Sequence, residues 1–255
     1  ALPSPALIVW FPSSKAIINL DSSYGKQILE FTKCEKITYG VHPNADLRAI
    51  NYKLTLNSTD IHLKWKGSEF KVNSNLIGHY NLENLLAVIA TGLISGISID
   101  NIILSINSEL NIPGRMEKID LKNNGLAIVD YAHSPDAYEQ ILSTVKTLST
   151  ESKKIITVFG CGGDRDRTKR PEMAKIAEKY SQFVYVTSDN PRNEKVENIC
   201  DDITVGFSNK NYKVIYNRED AILKAISTMD EHSVLLVLGK GRDDYEQIGN
   251  EKFPH

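Results

Sequence analysis

The stretch IITVFGCGGDRDRTKRPEMAKIAEKYSQFVYVTSDNPRNE (residues 155–194) predicts the topology of the second half of the chain. An apolar strand is followed by a polar, glycine-rich loop and then by a helix with apolar residues at helical spacing. A second apolar strand, residues 183–187, then enters the polar loop SDNPRNE. This strand, loop, helix and strand order is typical of α/β proteins with a parallel sheet.

The same unit recurs on both sides of this stretch. LAIVDYA precedes the helical segment SPDAYEQILSTVKTL, in which Ser134 is a candidate cap, Pro135 suits the first helical position and Asp136 suits the positive end of the helix dipole. KVIYN precedes REDAILKAISTM, and SVLLVLG precedes GKGRDDYEQ. Five strands that alternate with helices predict an α/β fold with a mostly parallel sheet and helices on both faces.

The first half of the chain has a different pattern. KAIINLDSSYG and KQILEFTK form one strand and helix unit. Residues 46–75 alternate apolar and polar side chains and predict a small antiparallel sheet or a set of hairpins. Residues 81–96 and 99–110 predict two helices. We place the domain boundary at Pro113, which gives domains of residues 1–112 and 113–255.

Composition limits the classes of function. The 255 residues carry 30 Lys and Arg against 32 Asp and Glu, a net charge of −2, so bulk charge supports neither a nucleic-acid nor a membrane partner. Cys34, Cys161 and Cys200 are widely spaced and form no zinc or disulfide pattern. No apolar run reaches about 18 residues, and LPSPALIVWF near the start lacks the flanks of a signal peptide. These features predict a cytoplasmic protein.

Polar clusters follow four of the predicted strands. In an open α/β sheet the loops at the carboxyl ends of the strands line the ligand crevice, so these clusters predict one binding site. The clusters are DYAHS, GCGGDRDR, SDNPRNE and GKGRDD.

The glycine-rich loop GCGGDRDR allows three interpretations. Its spacing is similar to a dinucleotide fingerprint, in which Gly160–Gly163 would hold a pyrophosphate and Asp189 a ribose, but Arg165 stands where the third glycine belongs. The loop is otherwise a simple turn before a helix, or its backbone N–H groups and Arg165 face a carboxylate or phosphate.

The DNPR segment suits an amino-acid ligand. Pro191 restricts the backbone, so Arg192 can present its planar guanidinium to a carboxylate at lower entropic cost. Asn190 can donate and accept hydrogen bonds at once. The alternative is an ordinary Asn-Pro turn with a solvated arginine.

Further polar residues complete the candidate site. Asp243 and Asp244 can receive an ammonium group, and His133 becomes a candidate because it follows Asp130 at a strand end. GRMEKI adds Arg115 and Glu117 as candidates.

Six motifs, in this order and at these spacings, resemble the Mur ligases of bacterial cell-wall synthesis, in particular the MurE type, which adds the third amino acid to UDP-N-acetylmuramoyl-L-alanyl-D-glutamate. They are GHYNLENLLA, IPGRMEKI, VDYAHSPDA, VFGCGGDRDRTKRPEMA, TSDNPRNE and GKGRDDYEQ. The resemblance implies the later part of a central ATP-binding domain, followed by a Rossmann-like C-terminal domain that receives the amino acid.

The resemblance also implies the chemistry. It implies ATP-driven amide formation through an acyl phosphate, with Mg²⁺, ATP, the UDP-linked dipeptide and meso-diaminopimelate as the small-molecule partners, and neither nucleic acid nor membrane. The family's P-loop and its modified, magnesium-holding lysine are not among these residues, so we expect this chain alone to be inactive. A lysine-adding ligase, a dinucleotide-binding oxidoreductase and a binding module without ATP chemistry are the alternatives.

The resemblance assigns the site residues, none of them catalytic or metal-binding. The nucleotide contacts are Asn84, Arg115, Asp130 and His133. The diaminopimelate contacts are Arg165, Asp189, Asn190, Pro191, Arg192, Gly239 and Asp243. Within this set Arg165, Asn190 and Arg192 would hold the far carboxylate, and Gly239 and Asp243 the distal ammonium. The family usually has Gly-Lys-Gly-His-Glu where this chain has GKGRD, so Arg242 adds a positive charge and the acid is shorter.

Overall fold

A computed structural model describes residues 14–108, 112–122, 125–149 and 153–254. The chain divides into two compact units, Ala1–Leu110 and Asn111–His255. The segment LPSPALIVWF and the end of the helix expected over residues 99–110 lie outside the described residues.

Over residues 14–108, the first unit combines one five-stranded sheet with three helices. Its elements are β1 (Lys15–Asn19), α1 (Gly25–Phe31), β2 (Glu35–Gly40), β3 (Leu47–Leu54), β4 (Thr59–Trp65), β5 (Ser68–Ser74), α2 (His79–Ile94) and α3 (Ile99–Asn107). The strands lie in sequence order. β1, β2 and β3 are parallel neighbours, and β3, β4 and β5 are antiparallel neighbours.

The antiparallel strands expected over residues 46–75 are confirmed as β3, β4 and β5, but they do not stand alone. β3 pairs with β2 through Tyr39 opposite Leu47 and Gly40 opposite Arg48, so the antiparallel strands extend the parallel sheet. The alternating pattern revealed the strand type, but the pairing partner of its first strand is set by packing that a local pattern does not record.

The core of the first unit lies between this sheet and α2. Leu47 and Leu63 from the strands and Leu86 and Ile89 from the helix belong to one buried cluster. Each such side chain contributes about 1.5–3 kcal/mol when it is removed from water. Asn84 lies on the opposite, exposed side of α2.

The second unit has a six-stranded sheet in the order β10-β9-β8-β11-β7-β6, and a separate hairpin. Its elements are β6 (Glu117–Asp120), β7 (Leu126–Asp130), α4 (Pro135–Leu148), β8 (Lys154–Phe159), α5 (Lys169–Tyr180), β9 (Phe183–Val186), α6 (Val196–Thr204), β10 (Tyr212–Val214), α7 (Arg218–Ser227), β11 (Ser233–Leu238), β12 (Tyr245–Ile248) and β13 (Glu251–Pro254). The five predicted strands are parallel neighbours, and β6 joins the edge antiparallel to β7. The predicted α/β fold is confirmed.

Helices cover both faces of the second sheet. α7 packs through Ala221 and Ala225 on the face formed by Ile156 and Leu235. On the opposite face the Tyr138 ring of α4 meets the Phe159 ring edge-on, with centroids 5.4 Å apart. α4, α5 and α6 pack side by side on this face.

The start of α4 agrees with the sequence analysis, and the start of α5 does not. Ser134 accepts a hydrogen bond from Ala137 N, and Pro135 is the first residue of α4. α5 begins at Lys169, two residues before the proline expected to open it. None of the helices in the described part of the chain is long and apolar enough to cross a membrane.

Candidate functional site

The loops that follow β7, β8, β9 and β11 lie at one edge of the second sheet. These strands are direct neighbours and parallel, so their carboxyl ends meet there. Backbone hydrogen bonds join the loops: Gly239 N donates to Asp130 O at 3.1 Å and Thr187 N to Phe159 O at 2.9 Å. We call the loop of residues 188–194 the hook and that of residues 160–168 the glycine loop.

The glycine loop packs directly against the hook. Gly163 N donates to Asn190 O at 2.9 Å, and Asp164 N donates to the Glu194 carboxylate at 2.7 Å. A Cβ on Gly163 would lie 1.9 Å from Pro191 O, so only glycine permits this approach. The expectation that these N–H groups face a bound anion is therefore wrong for Gly163 and Asp164, because both donate to the hook.

A buried arginine, missed by the sequence analysis, holds the two loops together. The Arg170 side chain is fully buried and donates to Glu194 at 2.7 Å, to Asp202 at 2.7 Å and to Gly162 O at 3.2 Å. The hydrogen bond from Arg170 lowers the pKa of Glu194 to about 2. A cation in the first turn of a helix is unfavourable to the helix dipole. The position of Arg170 in that turn was therefore the signal in the sequence that this arginine has another role.

Arg192 lies between the glycine loop and the β12–β13 hairpin. Its backbone has a left-handed φ of 49°. Arg192 N donates to Gln247 O at 3.0 Å, Gly249 N donates to Arg192 O at 2.8 Å, and its guanidinium donates to Gly163 O at 2.8 Å. The sequence pattern of residues 245–254 does not predict the hairpin that anchors this residue.

Arg165 and Arg192 flank the same point of the glycine loop. A Cβ on Gly162 would lie 2.9 Å from Arg192 Nη1 and 3.8 Å from Arg165 Cγ. The Arg165 side chain is exposed and donates to Asp164 O at 3.3 Å. Two arginine side chains beside the same glycine favour an anionic ligand.

The amide of Asn190 makes its acceptor contacts within the protein. Asn190 is buried, and its Oδ1 accepts from Lys240 Nζ at 2.9 Å and from Gln247 N at 2.8 Å. The expectation that this amide both donates to and accepts from a ligand is wrong, because its oxygen is occupied. Lys240 was not predicted as a site residue, although a lysine between two glycines after a strand was a visible signal.

The acid at the start of the hook lies among buried cations. A Cβ on Gly239 would lie 2.8 Å from Asp189 Oδ2, so Asp189 and Gly239 are close. Arg218 is buried and donates to Ser188 O at 3.0 Å and Leu238 O at 2.9 Å. Burial lowers the pKa of Arg218, and the charge of Asp189 opposes that shift.

The unusual Arg242 is neutralised by Glu117. Two hydrogen bonds join them, from Arg242 Nε to Glu117 Oε2 at 2.7 Å and from Arg242 Nη2 to Oε1 at 2.6 Å. Gly114 N also donates to Glu117 at 2.8 Å, and the hydrogen bond from Arg242 lowers the pKa of Glu117. Glu117 is therefore not available as a ligand contact. Asp243 follows in the same turn and is half-buried.

Three of the four expected nucleotide contacts lie near β6 and β7: Asp130 ends β7, His133 follows it, and Arg115 precedes β6. Asp130 is buried and accepts from Met116 N and Ala132 N, both at 2.7 Å, and burial raises its pKa. Arg115 is exposed, with its guanidinium 5.2 Å from the centroid of the Tyr131 ring. The exposed His133 has Nδ1 2.8 Å from Tyr131 O, so Nδ1 carries the proton.

Asn84, the fourth expected nucleotide contact, belongs to the first unit. Its side chain is exposed on α2 and donates to Asn81 Oδ1 at 3.4 Å. An open depression of about 440 Å³ also lies in this unit, and none of the predicted site residues lines it. Among the residues that the structure describes, no three His, Cys, Asp or Glu side chains converge as a metal site.

Comparisons with known proteins agree with this architecture. A family model described as the Mur ligase middle domain matches residues 6–92, and one described as Mur ligase, glutamate ligase domain, matches residues 114–241. Among curated proteins, the UDP-N-acetylmuramoyl-L-alanyl-D-glutamate–2,6-diaminopimelate ligase of Aquifex aeolicus is 42% identical over 249 residues, which are 97% of this chain and 50% of that protein. The UDP-N-acetylmuramoyl-L-alanyl-D-glutamate–2,6-diaminopimelate ligase 1 of Clostridium acetobutylicum is 39% identical, over 96% of this chain and 51% of its own length.

Solved structures give the same result. A UDP-N-acetylmuramoyl-L-alanyl-D-glutamate–2,6-diaminopimelate ligase superposes with a TM-score of 0.66 at 31% identity, over 94% of this chain and 50% of that one. MurF ligase from Thermotoga maritima in complex with ADP has a TM-score of 0.65 at 18% identity, over 91% and 51%, and supports the fold alone. The chain thus spans about half the length of its relatives. Because the glutamate ligase domain model matches half of the chain, this chain belongs to the Mur ligase family.

Proposed function

We propose that this chain is the middle and C-terminal part of a cytoplasmic, ATP-dependent ligase of peptidoglycan synthesis. The ligase joins meso-diaminopimelate to UDP-N-acetylmuramoyl-L-alanyl-D-glutamate. Residues 1–112 are the later part of the ATP-binding domain and residues 113–255 the amino-acid-binding domain. The names of the relatives at about 40% identity support this assignment.

The observation that carries the proposal is the anion-binding corner between the hook and the glycine loop. Arg192 and Arg165 flank Gly162, and the Asn190 oxygen is held by protein donors, which leaves its amide nitrogen as a donor. Diaminopimelate differs from lysine by one carboxylate at its far end. Two guanidinium groups and one amide donor can bind that carboxylate, whereas lysine has no group there for them to bind.

The other end of the hook receives the distal ammonium. Asp189 lies close to Gly239, and the half-buried Asp243 follows two glycines in the same turn. Carboxylate oxygens and the Gly239 carbonyl are acceptors for the three N–H donors of an ammonium group. Pro191, which is buried, keeps the hook between these two subsites.

The reaction needs no catalytic side chain from this half. The D-glutamate carboxylate is converted to an acyl phosphate with ATP, the amine of diaminopimelate attacks it, and phosphate leaves. The chain contributes positioning of the amine and charge stabilisation, with Asn84, Arg115, Asp130 and His133 toward the nucleotide. Among the residues that the structure describes, no three His, Cys, Asp or Glu side chains converge to hold Mg²⁺.

Kinetics on the complete gene product test the proposal. With ATP and the UDP-linked dipeptide, we expect meso-diaminopimelate to give phosphate and a product heavier by one diaminopimelate residue, detected by mass spectrometry. Lysine is expected to react far more slowly. Preference for lysine would identify a lysine-adding ligase, and binding of NAD in place of ATP would favour an oxidoreductase.

A further inference from the structure

The orientation of the Asn190 side-chain amide is imposed by two neighbours. Lys240 Nζ and Gln247 N lie 2.9 Å and 2.8 Å from the same Asn190 atom. An ammonium and a backbone N–H can only donate, so the atom that they face is the oxygen. No acceptor for Asn190 Nδ2 is found among the residues that the structure describes, so the NH₂ group is left to donate to a ligand.

The contact between Lys240 and Asn190 requires the Lys240 ammonium to lose its contact with water. Its residue is 4% exposed, and its ammonium hydrogen-bonds the neutral oxygen of Asn190. Burial lowers its pKa, with Arg218 acting in the same direction, while Asp189, Glu246 and Asp243 oppose the shift. Burying an ammonium without a directly bonded carboxylate costs several kcal/mol. An uncharged donor could make the same structural contact with a smaller desolvation free energy.

We propose that Lys240 is a positioning residue that sets amino-acid specificity through Asn190. By holding the amide oxygen, Lys240 turns the NH₂ group toward the far carboxylate of the bound amino acid. This inference rests on the proposed function and deepens it, since it explains why that corner of the site accepts an anion and rejects a donor.

Loss of Lys240 has a selective consequence. Without the Lys240 ammonium, the Asn190 amide can rotate and place its oxygen against the carboxylate of diaminopimelate. The hydrogen bond from the NH₂ group is then replaced by repulsion between two oxygens. Lysine has no carboxylate at this point, so the rotation leaves its binding unchanged. A loss confined to diaminopimelate therefore distinguishes positioning from general support of the fold.

The test is a binding titration of the 255-residue chain, followed by nuclear magnetic resonance, with meso-diaminopimelate and lysine as the two probes. Lys240→Met removes the ammonium and keeps most of the apolar stem. We expect the dissociation constant for diaminopimelate to rise about tenfold or more, and that for lysine to change less than about twofold.

Lys252→Met is the matched control. Lys252 is exposed, and its ammonium lies 3.9 Å from the centroid of the Tyr245 ring, the same ring that Lys240 approaches at 5.6 Å. This control removes a lysine from the same tyrosine without touching Asn190, and we expect it to change neither affinity. In an Asn190→Ala background, Lys240→Met should cost no further affinity for diaminopimelate, because Lys240 acts through Asn190.

Asn190→Asp is the second variant, and it decides the question if Lys240→Met does not fold. Aspartate keeps the acceptor that Lys240 and Gln247 need, so the fold is retained, but its second oxygen replaces the NH₂ donor. We expect diaminopimelate affinity to fall about tenfold or more while lysine affinity is retained. Unchanged diaminopimelate affinity in this variant would overturn the inference.

The outcomes separate the two proposals. If the unsubstituted chain binds neither amino acid, the proposed amino-acid site fails, and the inference fails with it. If that chain prefers diaminopimelate but Lys240→Met loses nothing, or loses both amino acids equally, only the role of Lys240 is overturned.

Discussion

At the scale of single residues, Arg192 combines a left-handed backbone with a guanidinium that we propose binds the far carboxylate. The strain of its φ of 49° is already present in the native chain. Both backbone hydrogen bonds to the hairpin are kept when the side chain is truncated. Arg192→Ala therefore adds no backbone strain, and its effect reports on the guanidinium.

We predict that Arg192→Ala lowers kcat/KM for meso-diaminopimelate by roughly 10²-fold in the complete gene product, the effect of one charge-assisted pair of about 3 kcal/mol. The low activity with lysine should be unchanged. Steady-state kinetics with both amino acids measure this, with Lys195→Ala, an exposed cation beside the hook, as the control. An equal loss for both substrates would show that Arg192 supports the fold and not recognition.

Glu194 makes the stability of the site dependent on pH. The bond from Arg170 lowers its pKa from an ordinary 4.5 to about 2. A carboxylate whose pKa is lower in the folded state stabilises the fold above its unfolded pKa, and this stabilisation is lost as the pH falls toward the folded value. The contribution of Glu194 is therefore complete at neutral pH and declines between about pH 4.5 and about pH 2.

We predict that Glu194→Gln costs about 3 kcal/mol of unfolding free energy at neutral pH, because it removes one partner of the buried Arg170. The variant should also lose less stability than the original chain on acidification through this range. Urea unfolding at a series of pH values checks both effects. Glu172→Gln, an exposed glutamate on α5, is the control, and parallel pH profiles for the original chain and Glu194→Gln would contradict the prediction.

At the scale of elements, the site depends on how closely the glycine loop approaches the hook. At Gly163 the backbone N–H donates to Asn190 O, and any Cβ would overlap the Pro191 carbonyl. The backbone of Gly163 does not have a left-handed φ. A larger residue is therefore excluded at this position only by the steric overlap of its side chain.

We predict that Gly163→Ala lowers the unfolding free energy by about 3 kcal/mol and weakens diaminopimelate binding, because the backbone of one loop must move. Gly249→Ala is the control: nothing lies within 4 Å of its Cβ, and it meets only the strain of a φ of 58°, about 1–2 kcal/mol. Circular dichroism during urea unfolding and a binding titration give the two quantities. Equal effects on binding from both variants would contradict this account.

At the scale of the whole molecule, ATP chemistry and amino-acid recognition are expected to separate. The 255 residues contain no Gly-rich P-loop with its lysine. We predict that this chain releases no phosphate from ATP above the control without enzyme, even with the UDP-linked dipeptide and diaminopimelate, while it retains diaminopimelate binding. Phosphate release above that control would refute the first half of this prediction.

The domain boundary at Pro113 also stays a prediction that experiment can decide. If residues 113–255 form the amino-acid-binding domain, this fragment alone should bind diaminopimelate as tightly as the whole chain, within about twofold. A titration of the two proteins side by side measures this, and a much weaker fragment would place part of the site in the first half.

The sequence by itself determined the α/β class, the order of the five parallel strands along the chain, the family and the edge of the sheet at which polar loops gather. These features are local: an apolar run, a cap such as Ser134, or a motif such as DNPR is readable within a few residues. The parallel sheet then follows from general rules of strand and helix alternation.

Only the tertiary structure decided which polar groups meet. Arg170 of α5 reaches Glu194 in the hook and Asp202 in α6. Glu117 neutralises Arg242 across 125 positions of sequence, and the Asn190 oxygen accepts from Lys240. A hydrogen bond depends on distance and direction in space, and a polar side chain carries no local sign of its partner. The short strands β6, β12 and β13 escaped prediction for the same reason, since their stability comes from neighbours distant in sequence.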